Sequence, residues 1–291
     1  MKLRSNLLLL FTAMIWGFAF VAQRVGSDHI SALSFNGIRF MLGALSLLPL
    51  MLTKERHAVT KENRGATVRS SLVLGVVLWA ASFMQQKGIE ITGSASKAGF
   101  ITGLYIVLVP IVGGLLFKKR TGICVWLGAV SAVIGLYLLS MTGSEVFGLG
   151  DILYLASTLF WTVHILLIDR FTKNGISPIF LSFGQFFVCS ILNLALVPFF
   201  EVITPSGVIS ALIPLLYGGI LSVGVAYTLQ VVAQKNADPA AAAIIMSMES
   251  VFSCVGAVLI LHERMAVSNY IGCVFMLIGI VLAQLPQKEK V

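Results

Sequence analysis

Two oppositely charged residues lie deep inside long apolar runs of this sequence, where charge is costly. Helical rise places Arg39 roughly 12 Å into the run 31–52 and Glu249 roughly 15 Å into the run 239–261. An ionisable group at membrane depth costs about 2.5–3.5 kcal/mol on insertion scales, so it points to a function or a partner. We expect Glu249 to exchange a proton or bind a substrate amine and Arg39 to bind a carboxylate. The alternative is a structural ion pair or an arginine that snorkels to the membrane surface.

Aromatic side chains form a second group of candidates. Trp16 and Trp161 lie near the middle of apolar runs, away from the interfacial belts where tryptophan is enriched. Such positions suit a cavity wall that stacks on a ring or contacts a cation, and core packing is the alternative. Tyr105 and Tyr227 are similar candidates.

Three neutral polar residues complete the set. Gln85 and Gln230 could line a solute path or form hydrogen bonds between helices. Packing is slightly favoured, because their equivalent positions in an internal repeat would put them toward opposite membrane sides. His164 lies in the inner third of its apolar run, and a lone histidine is more often hydrogen-bonded structure than a proton carrier.

Motifs of common enzymes and cofactor sites are absent from the sequence. There is no HExxH, GxSxG or GxxxxGK[ST] pattern. No Cys/His spacing suits a metal, since the cysteines all lie singly in apolar runs: Cys124, Cys189, Cys254 and Cys273. The net charge of +8 forms no basic stripe interleaved with aromatics. We therefore expect no enzyme activity, no cofactor, no metal and no nucleic-acid partner.

The elements that must position these side chains are membrane-spanning helices. Hydrophobic residues make up 58% of the chain and charged residues only 11%, whereas soluble domains carry about 25% charged residues. A spanning helix needs about 20 mainly apolar residues. The sequence predicts an all-α integral membrane protein with ten such helices, at 5–26, 31–52, 70–90, 93–117, 122–141, 148–168, 178–200, 208–231, 239–261 and 267–286.

Charge bias predicts the orientation of these helices. Cytoplasmic loops carry an excess of Lys and Arg. With the N-terminus inside, 15 of the 20 basic residues fall on the cytoplasmic side. Both termini are therefore expected in the cytoplasm.

The two halves of the chain resemble each other. At an offset of about 145 residues, Trp16 matches Trp161 and Gln85 matches Gln230. WLGAVSAVIG (126–135) likewise matches YIGCVFMLIG (270–279). We predict one five-helix repeat over residues 1–145 and another over 146–291. Because five is odd, the second repeat must be inverted in the membrane, an arrangement that favours alternating access.

These features resemble the drug/metabolite transporter superfamily, in particular its EamA-type ten-helix branch. The resemblance rests on AMIWGFAFVAQR (13–24), NGIRFMLGAL (36–45), KAGFITGLYIVLVPIVGGLL (97–116) and MESVFSCVGAVLILHER (248–264). The ninth helix departs from the Glu-Pro-Val and Gly-Glu patterns common in the family, with Ser250 and His262 in place of proline and glycine. The resemblance implies a secondary carrier of the bacterial inner membrane, often an exporter of amino acids, metabolites or toxic compounds.

The sequence thus predicts a secondary transporter that exports amino acids or related amphipathic compounds. Its expected partners are a small-molecule substrate and the lipid bilayer, and a monomer or a homodimer would suffice. A membrane-embedded enzyme is an alternative, but it should cluster catalytic polar residues near one membrane interface. A non-transporting receptor or assembly protein is another alternative, which solute exchange by reconstituted vesicles would exclude.

Overall fold

The computed structural model describes residues 2–53, 58–60, 62–117, 121–140, 148–261 and 266–285, and within them the chain is helical without a strand. Helices suit this sequence because lipid offers no hydrogen-bond partner to a free backbone group. Eight helices in these ranges are long and apolar enough to span a membrane, and two apolar helices are shorter, Ile123–Leu138 and Val267–Ala283. The predicted all-helical membrane class is confirmed, whereas the count of ten spans stays a prediction.

The described part of the first half forms six helices. They are α1 (Lys2–Ser27), α2 (Ala32–Thr53), α3 (Arg64–Thr92), α4 (Ala95–Gly103), α5 (Tyr105–Phe117) and α6 (Ile123–Ser140).

The second half begins with two long helices, α7 (Leu149–Lys173) and α8 (Pro178–Phe200). It continues with α9 (Pro205–Ser210), α10 (Leu212–Leu216), a π-helix (Tyr217–Tyr227), α11 (Thr228–Gln234), α12 (Pro239–Met246), α13 (Glu249–Leu261) and α14 (Val267–Gln284). His262 lies outside the described residues.

Two predicted spans are broken near their middles. The span 93–117 divides into α4 and α5 at Leu104, whose N–H bonds to Ile101 O at 3.2 Å. The span 239–261 divides into α12 and α13 at Ser247 and Met248, and the Met248 N–H bonds to Ile245 O at 3.2 Å. Both breaks are tight turns with hydrogen bonds between residues three apart, the 3₁₀ pattern. They occupy equivalent positions in the two halves.

A third departure from regular helix is the π-helical segment of 11 residues, Tyr217–Tyr227, inside the predicted span 208–231. π-helices are rare and are frequent at functional sites. Glycines let this segment approach α2 closely. A Cβ on Gly219 would lie 2.6 Å from Leu42 Cβ, and one on Gly43 would overlap Val223 Cγ1.

The last helices of the two halves, α6 and α14, cross at glycines. A Cβ added to Gly128 would lie 2.7 Å from Gly279 O, and one added to Gly135 would lie 2.7 Å from Gly272 O. Because the contacts run in opposite directions along the chain, the two helices are antiparallel. In the internal repeat, Gly128 is equivalent to Gly272 and Gly135 to Gly279. Gly128 therefore contacts the counterpart of Gly135, and Gly135 contacts the counterpart of Gly128. This reciprocal pattern gives the pair of helices a local two-fold relation.

We predict that Gly128→Ala destabilises the protein, because the added methyl group would meet backbone rather than a flexible side chain. Overpacking of this kind costs typically about 1–3 kcal/mol. Thermal unfolding of the purified protein in detergent should show a clearly lower midpoint. Gly65→Ala is the matched control, since a Cβ there has nothing within 4 Å. A Gly128→Ala protein as stable as the native chain would contradict the close crossing.

Candidate functional site

A cavity lies at the centre of the bundle, next to both helix breaks. The space between its side chains, together with the open space at its mouth, measures about 460 Å³. Eight of the nine predicted site residues line it: Trp16, Arg39, Gln85, Tyr105, Trp161, Tyr227, Gln230 and Glu249. The other lining residues are Ala19, Phe20, Gln23, Thr102, Ile165, Ser222 and Met246.

The aromatic side of the cavity is centred on Tyr227. Its ring centroid lies 4.6 Å from that of Trp16 and 5.9 Å from that of Trp161, with the second pair nearly parallel at 20°. The indole N–H of Trp16 donates to Ser222 O at 3.3 Å. Within the described residues, the indole N–H of Trp161 has no hydrogen-bond partner. Trp16 and Trp161, which occupy equivalent positions in the repeat, thus both pack against the ring of Tyr227.

Glu249 is the buried carboxylate of the cavity, with 5% of its surface exposed. The Tyr105 hydroxyl donates to its Oε1 at 3.2 Å. Each residue is the first of the helix that follows a break, α5 or α13. The start of α13 also places the carboxylate at the positive end of a helix dipole. In the part of the chain that the structure describes, Glu249 forms no ion pair.

Arg39 is the buried cation of the cavity, with 1% of its surface exposed. Its Nε donates to Asn36 Oδ1 at 2.9 Å, and Asn36 in turn donates to Ser82 O at 3.0 Å. The guanidinium carbon lies 5.5 Å from the ring centroid of Phe35 and 5.0 Å from that of Phe40. No carboxylate among the described residues pairs with it. The side chain is held within the bundle and does not snorkel to the membrane surface.

The two equivalent glutamines lie in one cavity. Gln85 Nε2 donates to Thr102 Oγ1 at 3.2 Å, while Gln230 Oε1 has no partner among the described residues. The sequence-based argument against a shared site for this pair is therefore wrong. Their side chains reach the same space from α3 and α11.

His164 does not line the cavity. It is fully buried, and its Nε2 lies 2.8 Å from Gln185 Oε1. Its ring meets the edges or faces of Trp161 and Tyr227 at 89°, with centroids 5.6 and 6.4 Å apart. The histidine thus supports the aromatic side of the cavity from behind.

Three polar lining residues were not predicted from the sequence: Gln23, Thr102 and Ser222. Gln23 lies near the end of its apolar run, where a polar side chain is ordinary. Thr102 and Ser222 are small hydroxyl residues, which pack in membrane helices as often as they face a cavity. For Thr102, the helix break two residues later would have been the signal.

Known proteins resemble this chain along nearly its whole length. The EamA-like transporter family matches residues 3–141 and, a second time, residues 148–285. An "Uncharacterized transporter" of Archaeoglobus fulgidus is 29% identical over 98% of this chain and 87% of its own length. The "Uncharacterized transporter YoaV" of Bacillus subtilis is 22% identical over 92% of each chain. A crystal structure with 17% identity overlays with a TM-score of 0.80, covering 98% of this chain and 97% of the other, which shows the fold.

The hydrogen bond between Tyr105 and Glu249 should couple the stabilities of the two residues. A hydrogen bond to a charged group contributes about 1.5–3 kcal/mol. We expect a double-mutant cycle of Tyr105→Phe and Glu249→Gln, measured by unfolding in detergent, to be non-additive. The matched control is a cycle of Tyr154→Phe with Glu249→Gln, which should be additive. The Tyr154 hydroxyl lies 2.8 Å from Thr92 Oγ1 and does not contact Glu249. Because the amide oxygen of a glutamine can still accept from Tyr105, an additive cycle for Tyr105 and Glu249 would show that the carboxylate of Glu249 is no better an acceptor than an amide.

Proposed function

This chain belongs to the EamA-like transporter family, and on that premise we propose that it is a secondary transporter that exports amino acids or related amphipathic metabolites by alternating access. Membership of the family makes it a multi-pass membrane transporter. One observation carries the finer proposal. The central cavity is lined by one buried cation and one buried carboxylate that do not pair with each other.

The chemistry of the cavity favours a zwitterion. A carboxylate of the solute would pair with the guanidinium of Arg39, for which carboxylates are suitable bidentate partners. An ammonium group would pair with Glu249, whose carboxylate has only the Tyr105 hydroxyl as a side-chain partner. Trp16, Tyr227 and Trp161 offer apolar ring surface to an aliphatic or aromatic side chain.

The positions of the helix breaks support alternating access. Inverted-repeat transporters bind their substrates near the midplane, at discontinuous helices where the repeats meet. Here the breaks at Leu104 and at Ser247–Met248 both lie beside the cavity. The antiparallel crossing of α6 and α14 supports inversion of the halves. We extend the proposal to ten spans, in one repeat over 1–145 and another over 146–291, with both termini in the cytoplasm. The protein is proposed to lie in the inner membrane as a monomer or a homodimer.

Transport by Arg39→Gln and Glu249→Gln proteins tests the proposal. Proteoliposomes loaded with labelled leucine or phenylalanine should release it through the native protein. Breaking one side of a buried charge pair costs about 2–5 kcal/mol, so Arg39→Gln should weaken apparent affinity by roughly 30-fold or more. The methyl ester of the amino acid should be a poor substrate of the native protein, and the ester should lose no further affinity in Arg39→Gln.

Arg64→Gln is the control for that experiment, since Arg64 is exposed at the start of α3 and does not line the cavity. Release measured at several pH values then separates the two roles of Glu249. If the carboxylate exchanges a proton, Glu249→Gln should remove the pH dependence of release as well as lower its rate. Full activity of both variants at normal expression would exclude roles for these residues.

Topology mapping tests the inversion of the halves. We expect reporter fusions at 118–121 to lie on the cytoplasmic face and fusions at 262–266 to lie on the outer face. The reason is that each site follows the equivalent helix of its repeat, α5 or α13. A fusion at the C-terminus, expected in the cytoplasm, calibrates the assay. Reporters at both internal sites on one face would refute the inverted arrangement.

A further inference from the structure

A second depression lies far from the central cavity, between the start of α3 and the end of α7. Its open volume is about 1320 Å³. We call it the α3–α7 groove, and it is lined by Gly65, Ala66, Arg69, Ser70, Val73, Leu167, Arg170, Phe171, Asn174 and Ile176. Because α3 begins here and α7 ends here, the groove lies at one surface of the membrane.

Positive charge is concentrated in the α3–α7 groove. Its charged lining residues are Arg69 and Arg170, both exposed, and no carboxylate lines it among the described residues. Arg69 has no hydrogen-bond or ion-pair partner in the described part of the chain. The nearby Lys173 is paired with Asp169 at 2.6 Å and adds little net charge. Arg69 therefore gives the groove a positive charge that no described acidic side chain neutralises.

Deeper in the membrane, the same groove is apolar. Val73 lies one helical turn beyond Arg69, roughly 6 Å toward the membrane interior, and 41% of it is exposed. Leu167 lies about one turn before Arg170 on α7, also on the interior side. Phe171 and Ile176 add apolar surface near the end of α7, on the other side of Arg170. The groove thus combines a cationic end near the surface with an apolar floor toward the bilayer centre.

The start of α3 adds to the complementarity for an anion. Gly65 and Ala66 form its first turn, where backbone N–H groups and the helix dipole favour negative charge. A Cβ placed on Gly65 would have nothing within 4 Å, so this turn is open to an occupant. Ser70, next to Arg69, and Asn174, at the end of α7, add hydrogen-bonding groups to the groove.

We propose that the α3–α7 groove binds one anionic phospholipid. Its phosphate lies between Arg69 and Arg170, and one acyl chain follows Val73 and Leu167. Basic pockets between membrane helices are suited to anionic headgroups. In the proposed topology this lipid belongs to the cytoplasmic leaflet. The site is independent of solute transport and does not depend on the identity of the substrate.

Native mass spectrometry of the delipidated protein tests this proposal. Dioleoyl phosphatidylglycerol should bind as a single tight adduct, while dioleoyl phosphatidylcholine should bind more weakly. A basic residue near an anionic lipid surface contributes about 1 kcal/mol, so Arg69→Gln should weaken binding about fivefold and the double variant with Arg170→Gln roughly 25-fold. Arg69→Lys should keep most of the affinity. Arg64→Gln, a charge loss on the same helix outside the groove, should leave it unchanged.

The apolar floor separates a lipid from a simple anion. Val73→Trp keeps both arginines and fills the floor, so it should weaken phosphatidylglycerol binding while the unfolding midpoint of the delipidated protein is preserved. Inorganic phosphate should not compete at millimolar concentration. The proposal is overturned if Arg69→Gln and Arg64→Gln bind phosphatidylglycerol equally. It is also overturned if Val73→Trp has no effect and phosphate displaces the lipid, since the groove would then be an anion site only.

Discussion

Arg39 from the first half and Glu249 from the second are both buried against one cavity without pairing with each other, and the architecture of the centre follows from that constraint. Arg39 in the first half is held by an amide and two aromatic rings, and Glu249 in the second by a tyrosine hydroxyl. Polar partners of this kind reduce the cost of burial without removing the charge. In the function proposed above, a solute supplies the partners that these two residues do not find in each other. The cavity is therefore the place where the chain is electrostatically incomplete.

Irregular helices provide the room for that site. In a regular helical span, the backbone hydrogen bonds would continue through the middle of the span without interruption. Side chains would then fill the centre of the bundle. The turns at Leu104 and at Ser247–Met248 change the direction of two spans beside the cavity, and the π-helix widens a third. The glycine crossing of α6 with α14 lies at the opposite extreme, since two backbones there are in direct contact. The bundle thus combines close backbone packing in one region with interrupted helices beside the cavity.

The sequence predicted the membrane class, the approximate spans and most of the cavity. Buried charges and deep tryptophans are informative because lipid penalises them, and eight of nine candidates line the cavity. His164 could not be separated from the lining residues, because burial behind a wall and exposure to a cavity produce the same local pattern. The helix breaks were also missed, since neither turn contains the proline that signals one. Their equivalence is visible only once the structure shows both breaks, at Leu104 and at Ser247–Met248.

The contact between Tyr105 and Glu249 joins equivalent positions that carry unlike side chains. Two identical halves could exchange their shapes at no net cost, so opposite-facing states would be equally populated. Here a neutral phenol faces a carboxylate, and Arg39 in α2 has no cationic counterpart in α8. When the two halves exchange conformations in the proposed cycle, a charged residue therefore enters surroundings that its repeat counterpart, which carries no such charge, does not match. If the protein works by the alternating access proposed above, the unlike residues at its centre give the two orientations different free energies.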